Sequence, residues 1–200
     1  FMDAERAGAM MDSFGFDHAL AGGGEQIAGI MGAMDQSGLG QFDAEQLGQA
    51  YDAMNGSDIR GFMDADSAAA ILDTMGVDQA VAGGGEKLAG LVGAIDPAEY
   101  GQQIGKDTVL EAFDAMTVEQ ALTMGGDNLA GVFGVMDEAK VGQLAPEDLQ
   151  SFAGNMTGQD IQQFVNPDSA FGMYTSLTQD QLSGFENGQM GAMFGAMDTD

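Results

Sequence analysis

Asp35, Ser37 and Asp43 lie within one nine-residue stretch, and Asp137 and Asp148 open and close a second stretch of the same design. Carboxylate and hydroxyl oxygens at such spacing are hard donors of the kind that Ca²⁺ and Mg²⁺ take. Each stretch also has a glycine at its sixth position (Gly40, Gly142) and an apolar residue at its eighth (Phe42, Leu144). The same acids suit a second role. Asp43-Ala-Glu and Ala145-Pro-Glu-Asp place acidic residues, or a proline, where a helix starts, and there they satisfy free N–H groups and meet the helix dipole.

Other chemistry finds little material. The chain has one histidine, His18, and no cysteine, so it has no Ser-His-Asp or Cys-His nucleophilic set and no zinc ligands beyond carboxylates. The glycine triplets at 22–24 and 83–85 lack the preceding strand and following basic residue of a phosphate-binding loop. No residue is nominated as catalytic, and the chain is not expected to be an enzyme. Methionine is abundant at 16 residues, but nearly all fall on apolar helix stripes, where core filling outweighs a Cu(I) site or a Met-rich docking groove.

With an apolar helix entering and another leaving, the stretches beginning at Asp35 and Asp137 resemble degenerate EF-hand helix-loop-helix units. The stretch from Asp96 to Thr108 resembles them less closely, since it carries an insertion. The resemblance implies Asp35, Ser37, Asp43, Asp137 and Asp148 as metal ligands. It departs at the fifth position, where Leu39 and Val141 replace an oxygen donor, and at the twelfth, where the first loop has Gln46 instead of a bidentate Glu. What remains implies weak Ca²⁺ binding, of roughly 10⁻⁴ to 10⁻³ M, and no other cofactor. A plain helix-turn-helix connection fits the same residues.

The elements that hold these loops are near-copies of one helix: Ile27–Asp35, Leu88–Asp96, Leu129–Asp137 and Met190–Asp198. Apolar residues at i, i+3, i+4 and i+7, such as Ile27, Ile30, Met31 and Met34, form one helical stripe. Opposite it fall Gly29 and Gly32, Gly90 and Gly93, and Gly131 and Gly134. A glycine within a helix costs roughly 1 kcal/mol relative to alanine. Either the glycines are drift on a solvated face, or they form an interaction face on which another backbone closes in; the repetition favours the second.

Residues 17–98 realign with 119–200 at an offset of about 102, with roughly 26 identities in 82 positions. Within that period lie blocks of about 20 residues, and the four helices above are spaced about 61, 41 and 61 residues apart because one block is missing between the second and third. The expected architecture is all-α: an array of short helices in internal repeats, solenoid-like. Residues 1–98 form a first, N-terminally truncated repeat region. Residues 99–200 form a second, continuous with the first and expected to continue beyond 200. Gly76 and Gly158 are expected to end helices.

Charge limits the partners. Against 32 Asp and Glu stand five Lys and Arg, a formal net charge of −27. Phosphate backbones would be repelled, so nucleic acid is not an expected partner. No apolar run reaches the 18 to 20 residues of a bilayer span, so membrane insertion is not expected either. Protein partners or self-assembly are. The composition thus points to a non-enzymatic structural module of a secreted or cell-surface protein (a filament, surface layer or adhesin), with the periplasm as the alternative. The competing reading is an acidic accessory subunit that docks through its Gly/Met-rich helical face, modulated by Ca²⁺.

Overall fold

The structure, a computed structural model, describes residues 4–198; Phe1, Thr199 and Asp200, at the ends expected to be truncated, lie outside the described residues. The described residues hold 19 α-helices and one short 3-10 turn, with no strand among them. The all-α expectation is met. The helices gather into two compact units, residues 1–96 with 114–116, and residues 97–113 with 117–200.

The first unit contains α1 (Ala4–Phe14), α2 (Phe16–Ala21), α3 (Gly24–Met31), α4 (Gln36–Leu39), α5 (Ala44–Ala53), α6 (Gly56–Phe62), α7 (Ala65–Met75), α8 (Val77–Ala82) and α9 (Gly85–Val92). The apolar stripe of the repeated helix is its core: Ile27, Ile30, Met31 and Met34 are buried, as are Leu88, Leu91 and Val92 on α9. Helix α6 packs on both α3 and α9, while α7 packs on α4, α5, α8 and α9. Each of these helices is too short to persist alone, so burial against its neighbours holds it in place.

The second unit begins with the 3-10 turn Pro97–Glu99 and α10 (Tyr100–Gln103). It continues through α11 (Lys106–Asp114), α12 (Val118–Leu122), α13 (Gly126–Val135), α14 (Glu138–Val141) and α15 (Pro146–Asn155). It closes with α16 (Gly158–Phe164), α17 (Pro167–Ser176), α18 (Gln179–Leu182) and α19 (Asn187–Met197). Here α16 packs on both α13 and α19, and α17 on α14 and α19. Phe113, Phe133 and Phe152 meet in the core with ring centroids 5.4 to 6.5 Å apart, in tilted and edge-on geometries that suit the ring quadrupoles. The residues 102 places earlier, Met11, Met31 and Ala50, fill the first unit's core with smaller or more flexible groups.

Helix starts in the two units coincide at that offset: Ala4 and Lys106, Phe16 and Val118, Gly24 and Gly126, Gln36 and Glu138, and onward to Gly85 and Asn187. One boundary differs from expectation. Gly158 opens α16 instead of closing a helix, because Thr157 caps from the preceding position and Gly158 is needed for a close approach to the Gly188 carbonyl. Gly76, with φ of 82°, ends α7 as expected and also starts α8.

Candidate functional site

The acids proposed as ligands are found at helix starts. Asp35 is the N-cap of α4 and its carboxylate accepts the Gly38 N–H at 2.8 Å. Asp43 caps α5, accepting the Gln46 N–H at 2.9 Å while the Gln46 side chain accepts the Asp43 N–H at 3.1 Å. Asp137 caps α14 by accepting the Lys140 N–H at 2.8 Å. Ser37 lies within α4, and Asp148 in the first turn of α15 behind Pro146. The fifth-position residues Leu39 and Val141 are buried, so the short helix in each loop serves to lodge an apolar side chain. Among the described residues, no three His, Cys, Asp or Glu gather closely enough to hold a metal ion.

Four of the repeated helix's glycines, Gly32, Gly90, Gly131 and Gly134, face a close neighbour across the helix. A Cβ at Gly32 would run into the Phe62 carbonyl oxygen, and one at Gly134 into the Phe164 carbonyl oxygen. At Gly90 it would come within 2.8 Å of the Gly56 carbonyl oxygen, and at Gly131 within 3.0 Å of both Pro97 Cα and Tyr100 Cε2. Gly93 closes α9, its N–H donating to the Ala89 carbonyl at 2.9 Å. Gly29 has more room. Its nearest neighbour across the helix is a Phe62 ring carbon at 4.0 Å, and a side chain could be accommodated there.

More glycines line the same seams than the repeated motif indicated. Gly24 and Gly126 face the carbonyls of Ala53 and Asn155, and Gly56 and Gly158 those of Glu86 and Gly188. Each pair stands at the same offset. Small residues here let one helix lie against the backbone of another.

Polar clamps beside these seams carry no spacing signature and were missed in the sequence. The Ser67 hydroxyl donates to the Met34 carbonyl at 3.0 Å, and Ser169 to Met136 at 3.1 Å. Lys87 donates to the carbonyls of Tyr51 and Asp52 at the end of α5, with its ammonium 5.6 Å from the Tyr51 ring centroid. At the matching position Gln189, buried, donates to the carbonyls of Ala153 and Met156. The Tyr51 hydroxyl donates to the Ala80 carbonyl at 3.1 Å; burial, with the Asp52 carboxylate nearby, pushes its pKa above the usual tyrosine value. In the second unit Tyr100, fully buried, donates to Asn128 Oδ1 at 2.7 Å. The only signal available was the offset itself, which pairs Lys87 with Gln189 and Ser67 with Ser169.

This arrangement holds helix ends and backbones together. No protein-family model matches the chain, and no curated protein or solved structure does so either. Among the described residues, no helix is long and apolar enough to cross a membrane.

Proposed function

We propose that this chain is a non-enzymatic structural repeat module, a stretch of an array of short helices whose glycine faces let successive helices stack backbone to backbone. The observation that carries the reading is the matched pair of seams. In the first unit α6 lies on α3 and α9 with Gly32, Gly56 and Gly90 at its contacts; in the second α16 lies on α13 and α19 with Gly134 and Gly158 at the same positions. A scheme built twice from one set of contacts can be built again, which is the property of a solenoid-like array. Such an array suits a filament, surface layer or adhesin of a secreted or cell-surface protein, where a net charge of −27 favours solubility in salt. Weak divalent-cation binding by the acidic helix starts belongs to the same reading.

The test is to extend the array. Appending a second copy of residues 97–198 after Asp198 continues the 102-residue register. The reading expects the longer protein to stay folded, with helix content per residue unchanged and a melting temperature equal to or above that of the parent. An added copy that remains unfolded, or that aggregates, would overturn it.

A further inference from the structure

At one matched place the two units differ in what lies over the repeated helix. In the second, Pro97 and Tyr100 cover Gly131 on α13, and the buried Tyr100 hydroxyl is taken up by the buried Asn128. The corresponding positions on the first unit are Gln26, Gly29 and Phe62, 102 residues earlier than Asn128, Gly131 and Phe164. These three line an open groove of about 440 Å³ with Met10 and Ile30, and the matched Gly131 and Phe164 line one of about 410 Å³ in which Pro97 forms part of the wall. Each is more exposed than its counterpart: Gln26 is exposed where Asn128 is buried, Gly29 half-buried where Gly131 is buried, and Phe62 45% exposed where Phe164 is half-buried. Positions 102 residues ahead of Pro97 and Tyr100 fall upstream of Phe1 in the numbering.

We propose that this groove receives the proline–tyrosine turn of a preceding repeat, a segment with the chemistry of Pro97-Ala98-Glu99-Tyr100. Each part of the turn has a place. The proline ring covers a helix face that has no Cβ, as Pro97 covers Gly131. The tyrosine ring fills the space beside it and hands its hydroxyl to the side-chain amide at Gln26, as Tyr100 does to Asn128. Phe62, now among the most exposed large apolar residues described, gains an apolar neighbour. The proposal rests on the repeat reading, since it treats α3 and α13 as equivalent.

The test uses the full chain with residues 85–102 of its own sequence fused directly ahead of Phe1, which keeps the register. Backbone amide exchange and NMR shifts are read at Gln26, Gly29 and Phe62. The proposal expects exchange at the α3 amides to slow by about tenfold or more, corresponding to about 1.4 kcal/mol of added protection. The slowing should vanish with Tyr100→Ala in the added copy alone, a change that leaves the original chain intact, and with Gly29→Leu in the original chain. In trans, a synthetic peptide of residues 95–104 should move the same resonances, and Gly29→Leu should weaken its binding about tenfold or more. Unchanged exchange, or protection that survives either substitution, overturns the proposal. If the C-terminal extension described above folds while this N-terminal one leaves α3 unaltered, the repeat reading stands and the groove's assignment falls.

Discussion

The two units start two pairs of matched helices by different chemistry. In the first, α2 and α8 open behind Gly15 and Gly76 at φ of 77° and 82°, with no side-chain cap. In the second, α12 and α18 open behind Thr117 and Thr178 in extended conformations, each closing a capping box with Gln120 or Gln181. Helix positions nonetheless coincide at one offset, so the contacts along the helices fix the architecture and the cap chemistry is free to vary. The seam glycines vary much less. Both units keep glycine at Gly32 and Gly134 and at Gly56 and Gly158, where a backbone approaches closely, whereas Ala192 stands at the position matching Gly90.

That contrast ranks the consequences of substitution. Gly32→Leu and Gly134→Leu drive a side chain into a carbonyl of the next helix, and each should cost about 3 kcal/mol in urea denaturation. A similar loss in both units sharpens the equivalence; a large loss in one and none in the other breaks it. Tyr51 distinguishes the units, since its counterpart is Ala153. Its raised pKa means that the folded state resists ionisation. The stability it contributes is complete below an unfolded tyrosine's value of about 10 and is lost as pH rises from there towards the folded pKa. Stability measured from pH 8 to 12 should therefore fall less steeply in Tyr51→Phe than in the parent.

Gln189 and Lys87 do one job at two depths. Gln189→Ala strands the carbonyls of Ala153 and Met156 beside a buried gap and should cost about 2 kcal/mol. Lys87→Ala leaves its carbonyls nearer water, and its ion pair with Asp52 is 3.9 Å long with the acid largely exposed, so about 1 kcal/mol is expected. The smallest effect should be a gain. Asn166 caps Ser169 and its amide also donates to the carbonyls of Phe133, Gly134 and Met136, whereas Asp64 at the same position caps Ser67. Asp64→Asn should raise stability by about 0.5 to 1 kcal/mol, measured by thermal melting. A destabilised Asp64→Asn would show that the two α7-type helices are not held alike.

What the sequence made legible follows from what periodicity encodes. The stripe of Ile27, Ile30, Met31 and Met34 announced a buried helix face, and the glycines opposite announced a small one. Periodicity could not tell Gly29 from Gly131, because the turn covering Gly131 comes from residues 97–100, within the one interval between core helices where a block is missing. The acids at Asp35, Asp43 and Asp137 were ambiguous for a physical reason: a cation loop and a capped helix both place a carboxylate just ahead of a helix. Lys87, Gln189 and Asn166 were invisible since they bind main-chain carbonyls, which any sequence provides.

The central claim is that close approach by a neighbouring element, not composition, requires the seam glycines. The most direct measurement compares urea unfolding of Gly131→Leu with that of Gly29→Leu, the same substitution at matched positions of two copies of the repeated helix. With Pro97 and Tyr100 against Gly131 and open space beyond Gly29, the expected loss is about 3 kcal/mol for the first and under about 1 kcal/mol for the second. Equal losses at the two positions would contradict the account.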